Sequence, residues 1–126
     1  MKIIHFLFLF FISINLYSTK EILSLGFGSC LHQDRSMAIL KTIEMKELDL
    51  FMFIGDNVYG DQEDGELDKL IRTYKQQYNN LEDFLKNVST EFIWDDHDFG
   101  LNDGGSNYRY KDTAKELFLE TWQIPE

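Results

Sequence analysis

Apolar residues along the chain form a long leading run, followed by short runs that alternate with helical stripes. The leading run, Ile3 to Leu16, follows a single lysine and gives way to the polar segment Tyr17 to Lys20. It is shorter than the roughly 20 residues that a membrane-spanning helix needs. One positive charge, an apolar core and a polar exit are typical of a secretory signal peptide, although a buried strand or an N-terminal anchor has the same pattern. We predict that residues 1–18 are a signal peptide, that residues 19–126 are the mature domain, and that no stable membrane span remains after cleavage.

Three short apolar runs beyond this leader predict β-strands. They cover Glu21 to Phe27, Leu50 to Ile54 and Glu91 to Trp94. The middle run contains no polar residue, as expected of a strand that is buried on both faces. Segments with helical spacing separate the runs, so the chain is expected to be an α/β protein with parallel pairing at its centre.

Apolar residues at spacings of three and four predict the helices. The predicted helices cover Ser36 to Leu48, Glu66 to Tyr78, a shorter segment from Leu81 to Val88, and a last segment from Tyr110 to Trp122. Asp95 begins a predicted polar loop after the third strand. Three strands are few for a doubly covered sheet, so we expect the chain to be the N-terminal part of a longer protein.

Composition and charge narrow the class of protein. Hydrophobic residues make up 44% and charged residues 27% of the chain, which excludes a disordered tail and a multi-span membrane protein. The 12 basic residues against 22 acidic ones give a net charge of −10. This charge argues against nucleic acid as a partner and favours a cation-binding surface. Cys30 is the single cysteine, so an intramolecular disulfide is excluded and the thiol is expected to be either buried or a metal ligand.

The three predicted strands all end in residues that can bind metal ions. In open α/β sheets, the loops at the carboxyl ends of parallel strands converge on one crevice. The side chains expected on this shared rim are Cys30, Asp56, Tyr59, Asp96 and His97. Acidic residues crowd there without nearby lysine or arginine, and a divalent or trivalent cation would relieve their repulsion.

Each of these residues also has a simpler interpretation. Acidic residues from Asp61 to Asp68 are expected to be a solvated face at the start of a helix, where the dipole favours them. Cys30 alone is more often a small packed hydrophobe, His97 a structural histidine, and Tyr59 an aromatic residue that packs against the sheet edge. For Asp56 and for Asp95 to Asp98, which directly follow apolar strands, we favour metal binding.

Three motifs together resemble a known family of phosphatases. FGSC, FIGDNVY and WDDHDFGLND are similar to motifs of the alkaline phosphatase D (PhoD-like) branch of the metallophosphoesterases, and each follows or ends a predicted strand. They occupy Phe27 to Cys30, Phe53 to Tyr59 and Trp94 to Asp103, and the segment Tyr110 to Trp122 is similar to the helix that follows in the family. The resemblance covers most of Leu25 to Pro125.

The resemblance implies a four-layer α-β-β-α sandwich, of which this chain would form the N-terminal half, and a centre with two or more metal ions. By analogy, an iron-type ion would be held by Cys30, Asp56 and Tyr59, with Asp56 able to bridge to a second ion. Asp96 and Asn102 are the candidates for the shell of that second ion. His97 lies where related phosphatases place a histidine that contacts the phosphate or the leaving group. Thiolate and phenolate favour a transition metal, whereas carboxylates and amides suit calcium.

The function implied is a secreted or periplasmic, metal-dependent phosphoric ester hydrolase. The family's later motifs have no counterpart before Glu126, so an N-terminal fragment, inactive by itself, is expected. One alternative is a non-catalytic metal- or ligand-binding remnant of the same fold. Another is a structural α/β domain whose acidic loops only solvate it. Nothing in the sequence specifies which phosphate ester is the substrate or what the oligomeric state is.

Overall fold

The computed structural model describes residues 24–125. Strands and helices alternate along this part of the chain and a short extra helix precedes the last one, which confirms the α/β class. The elements are β1 (Leu25–Gly28), α1 (Ala38–Glu44), β2 (Leu50–Ile54), α2 (Asp68–Asn87), β3 (Thr90–Ile93), α3 (Asp96–Phe99) and α4 (Lys111–Trp122). The predicted signal peptide lies outside the described residues. Within residues 24–125, none of the helices has both the length and the apolar character needed to cross a membrane.

The three strands form one parallel sheet in the order β1-β2-β3, as the alternation of strands and helices predicted. Phe27 of β1 pairs with Met52 of β2, and Ile54 of β2 pairs with Ile93 of β3. Parallel neighbours need a crossover connection, and α1 and α2 provide the two crossovers. All three strands therefore end at the same edge of the sheet.

The helices cover one face of the sheet. Phe51 and Phe53 of β2 are buried on that side, and both rings meet Phe84 of α2 edge to face, with centroids 5.7 and 5.9 Å apart. Phe92 of β3 stacks on Trp122 of α4 with centroids 4.1 Å apart. This aromatic cluster joins α2 and α4 to the sheet and forms the centre of the core.

The opposite face of the sheet is apolar but exposed. Leu25, Phe27, Ile54 and Ile93 are 51%, 69%, 43% and 49% exposed. The prediction that the middle strand is buried on both faces is therefore wrong for the described residues. An uninterrupted apolar run shows that both faces of a strand are apolar, but it does not show that the chain covers both. We call this exposed set of side chains the open sheet face.

Two helices predicted between the second and third strands are a single helix, α2. Its buried residues, which include Leu70, Tyr74, Gln77, Leu81 and Phe84, continue at spacings of three and four through the expected break. The amphipathic stripe thus outweighs the poor helix propensity of Asn79 and Asn80. The predicted polar loop after the third strand likewise contains the short helix α3. The first strand, predicted from Glu21, is described from Leu25 and reaches Gly28.

Replacing Phe27 by Ser should leave the free energy of unfolding within about 0.5 kcal/mol, because this side chain buries little surface. Phe53→Ala on the same sheet is the matched control. It should cost about 3–5 kcal/mol, because Phe53 is buried against Phe84 and Phe92. Urea unfolding of the full chain measures both. A loss of several kcal/mol in Phe27→Ser would show that the open sheet face is covered in solution and would contradict this description.

Candidate metal centre

The loops after β1 and β2 are joined by backbone hydrogen bonds. The Cys30 N–H donates to the Gly55 carbonyl at 3.2 Å, and the Leu31 N–H donates to the Asp56 carbonyl at 2.9 Å. These bonds hold Cys30 beside Asp56, with the thiol Sγ 3.5 Å from the carboxylate Oδ2. The two side chains that the sequence placed at separate strand ends are therefore neighbours.

Both residues have a left-handed backbone. The φ angle is 59° at Cys30 and 52° at Asp56, where a non-glycine residue is uncommon. Gly55 between the strand and Asp56 has φ of 100°, and a Cβ on it would lie 2.8 Å from the Asp95 Cβ. Strained backbone of this kind clusters at functional sites, because the surrounding structure has to impose it.

Tyr59 is the second side chain, after Cys30, that contacts the Asp56 carboxylate. Its hydroxyl donates to the Asp56 Oδ2 at 3.1 Å, so thiol and phenol both approach the same carboxylate oxygen. Burial, together with hydrogen bonds to Cys30 and Asp56, raises the pKa of the Tyr59 phenol well above its ordinary value. The backbone of Tyr59 is fixed by the Gln33 side chain, which donates to its carbonyl at 3.2 Å and accepts from its N–H at 3.0 Å.

Helix α3 brings two further predicted residues to this group. Asp95 and Asp98 form a capping box at its start, which fixes the direction in which α3 leaves β3. As a result, Asp56, Asp96 and His97 each have one atom that could coordinate a metal ion, and these three atoms lie within 4.8 Å of one another. The His97 ring also packs on Tyr59, with centroids 4.4 Å apart.

Asp61 contacts His97, which the sequence did not predict. Its Oδ1 lies 2.7 Å from the His97 Nδ1, and both side chains are mostly buried. Asp61 lies outside α2, so its assignment to a solvated face at a helix start is wrong. Burial lowers the pKa of the His97 imidazole, but the hydrogen bond and charge of Asp61, with Asp56 and Asp96, more than offset this and raise it.

Asp96 is held by the chain that follows α3, whereas Asn102 stands apart. The Asp103 N–H donates to the Asp96 Oδ2, and this bond lowers the pKa of the Asp96 carboxyl despite partial burial. The Asn102 side chain is exposed and donates to the Asp103 carboxylate at 2.9 Å. Among residues 24–125 the structure shows no contact of the Asn102 side chain with Asp56 or Asp96.

A buried carboxylate, which the sequence analysis included in the range Asp95 to Asp98 favoured for metal binding, joins the two acidic loops through hydrogen bonds. Asp98 is 1% exposed and accepts hydrogen bonds from the Asn57 N–H at 2.9 Å, the Asn57 amide at 3.2 Å and the Asp95 N–H at 2.9 Å. Burial raises the pKa of Asp98 to about 7, although the donated hydrogen bonds lower it. Asp98 thus ties the loop that carries Asp56 to the helix that carries Asp96 and His97.

Gln77 of α2 forms hydrogen bonds with the loops after β1 and β2. Its amide donates to the carbonyl oxygens of Leu31 and Asn57, both at 2.7 Å, and the residue is fully buried. A glutamine within an apolar stripe, between Tyr74 and Leu81, is the signal in the sequence that could have identified it. Buried amides are retained where they satisfy backbone groups that have no other partner.

The residues present fit a metal ion. The Asp56 Oδ1 is buried without a hydrogen-bond donor among the described residues, which is costly for a carboxylate oxygen unless a cation lies against it. The groups around Asp56 that could coordinate a metal ion are a thiol, a phenol, an imidazole and a second carboxylate. Sulfur and nitrogen donors favour a transition metal, and carboxylates accept harder cations as well.

Comparisons with known proteins add no family to this description. No family model matches the chain, and no curated protein and no solved structure is significantly similar to it.

Gln77→Leu should destabilise the protein by about 1–3 kcal/mol, because two loop carbonyls lose their donor. Gln76→Ala on the exposed side of α2 is the control and should cost less, since its donated bonds lie at the surface. Urea denaturation of each variant provides the comparison. Equal losses in the two variants would mean that Gln77 does not support the loops.

Asp56→Asn should weaken metal binding by about tenfold or more while leaving the fold at least as stable. Asparagine adopts the left-handed backbone readily, and it removes a buried charge that lies near Asp96. Equilibrium dialysis with ferrous iron and with calcium measures affinity, and thermal melting measures stability. Asp112→Asn, an exposed acid in the first turn of α4, is the control. Metal binding equal to that of the unmodified chain would contradict the assignment.

Proposed function

We propose that this chain carries the metal-binding loops of a PhoD-like, metal-dependent phosphoric ester hydrolase. The observation that supports this most strongly is the meeting of the Cys30 thiol and the Tyr59 phenol on one oxygen of Asp56. A solvated acidic face does not require a thiol and a phenol at the same carboxylate, whereas an iron-type site uses both as ligands. The proposed cofactors are two or more metal ions, iron together with calcium.

In this proposal the chain's own residues hold and orient the reacting groups. Cys30, Asp56 and Tyr59 hold the first ion, and Asp96 is the carboxylate available to the second; Asn102 is a candidate for the second ion by the resemblance alone. When bound, such ions polarise the phosphoryl oxygens and lower the pKa of a water molecule. Asp61 fixes the imidazole of His97 so that it can contact the phosphate or the leaving group.

The open sheet face supports the finer proposal about the fold. A sheet with helices on one face and large apolar side chains exposed on the other needs a further layer on the exposed face, and a second sheet is one such layer. We therefore propose that residues 19–126 are the N-terminal half of a four-layer α-β-β-α sandwich. Residues 1–18 would be its signal peptide, and the enzyme would be secreted or periplasmic.

The test is hydrolysis of p-nitrophenyl phosphate and bis(p-nitrophenyl) phosphate by the iron- and calcium-loaded protein. Both the present chain and the complete product of its gene should be assayed. We expect turnover in the complete product, loss of that turnover with a chelator, and only background hydrolysis by residues 19–126. Metal binding without hydrolysis in either form would instead support a non-catalytic metal-binding remnant.

Cys30→Ser should remove the transition metal and most of the hydrolysis from the active product while leaving its melting temperature nearly unchanged. The hydroxyl is a much weaker ligand for a soft metal than the thiolate, and Cys30 is exposed, so little packing is lost. Metal analysis and a melting curve on the same sample separate the two effects. Reduced stability with full metal content per folded molecule would identify a structural thiol.

A further inference from the structure

Two histidines flank Tyr59, and only one of them belongs to the acidic group described above. His32, in the loop after β1, stacks on the phenol ring with centroids 4.9 Å apart and an angle of 12° between the planes. His97 packs on the same ring with centroids 4.4 Å apart. Because the Tyr59 hydroxyl contacts Asp56, a residue stacked on this ring lies at the border of the candidate metal centre.

The two imidazoles have different hydrogen-bond partners. The Asp34 backbone N–H donates to the His32 Nδ1 at 3.2 Å, and the Asp34 carboxylate Oδ2 lies 4.0 Å from the same nitrogen, so Nε2 carries the N–H that is left to donate elsewhere. For His97, the Asp61 carboxylate accepts a hydrogen bond from the Nδ1–H at 2.7 Å. The Nε2–H of His32 is a hydrogen-bond donor and suits an anion.

The Nε2–H of His32 is also free to bind. No residue among 24–125 accepts a hydrogen bond from it, and its side chain is 33% exposed. The surrounding carboxylates would repel an anionic substrate. Within the described residues no lysine or arginine forms an ion pair with the carboxylate of Asp56, Asp61 or Asp96, although the Lys69 Nζ donates to the Asp61 backbone carbonyl at 3.2 Å. An N–H donor beside the metal centre would supply part of what an oxyanion needs there.

We propose that His32 is a substrate-binding residue whose Nε2–H donates a hydrogen bond to a non-bridging oxygen of the bound phosphoryl group. This inference rests on the proposed phosphate ester site. Stacking on Tyr59 fixes the plane of the imidazole, and the Asp34 N–H fixes its tautomer. The donor is thus oriented before the substrate arrives, which reduces the entropy lost on binding.

The test uses two variants that separate the ring from its N–H. His32→Phe keeps a flat ring on Tyr59 and removes the donor, whereas His32→Gln removes the ring and keeps an amide donor near the position of Nε2. Inorganic phosphate is titrated into the full chain, loaded with iron and calcium, by calorimetry. Metal content and melting temperature are measured for each sample.

We expect His32→Phe to raise the Kd for phosphate by about tenfold with unchanged metal content, and His32→Gln to remain within a few-fold of the unmodified chain. Phosphate binding by His32→Phe equal to that of the unmodified chain would overturn the proposal, because the ring alone would then suffice. Equal weakening in both variants, loss of metal from His32→Phe, or no phosphate binding by the unmodified chain would overturn it as well.

A parallel assay keeps this inference separate from the proposed function. In one outcome, phosphate binding depends on His32 while the complete gene product does not hydrolyse p-nitrophenyl phosphate. That result would support the binding role of His32 and contradict the proposed enzymatic function. Hydrolysis by His32→Phe with the same KM as the unmodified protein would contradict the binding role of His32 and support the proposed enzymatic function.

Discussion

The carboxylate of Asp98 joins the loop after β2 to helix α3, and the candidate metal centre depends on this junction. It accepts three hydrogen bonds from Asn57 and Asp95, and its own backbone carbonyl accepts the Tyr74 hydroxyl of α2 at 2.8 Å. Asp56 and Asp96 lie on the two joined segments, and their like charges oppose this close approach. Neutral donors on a buried carboxylate supply the specific contacts that hold the segments together.

The same region contains features that lower stability. Three non-glycine residues there, Cys30, Asp56 and Asp103, have a left-handed backbone, and one oxygen of Asp56 is buried without a donor among the described residues. Such features persist where the rest of the structure enforces them, and they are concentrated at binding sites. Gln77 and Gln33 help to impose this backbone conformation, because their side chains form hydrogen bonds with backbone groups of the loops. The loops are therefore built to hold ligands in place.

Sequence patterns predicted the sheet better than they predicted the contacts that hold the residues of the candidate metal centre in place. Apolar runs located the three strands, and the rule that parallel strands end at one edge brought Cys30, Asp56 and Asp96 to the same region. Asp61 could not be separated from its acidic neighbours, because its contact with His97 depends on how the loop before α2 folds back. Asp98 lies among other aspartates and shows no sign of its burial. The run from Leu50 to Ile54 was interpreted as buried on both faces, because an apolar run does not reveal what covers it.

The most direct test of the metal centre is the visible absorption spectrum of the chain after addition of ferric iron. Thiolate and phenolate ligands give charge-transfer bands with this ion, whereas carboxylates and imidazoles alone do not give them in the visible range. The account predicts a visible band that loses its phenolate component in Tyr59→Phe and its thiolate component in Cys30→Ser, and that is unchanged in Asp112→Asn. An iron-bound chain without such a band, or a band that survives both substitutions, would show that the metal is not held by the residues that meet on Asp56.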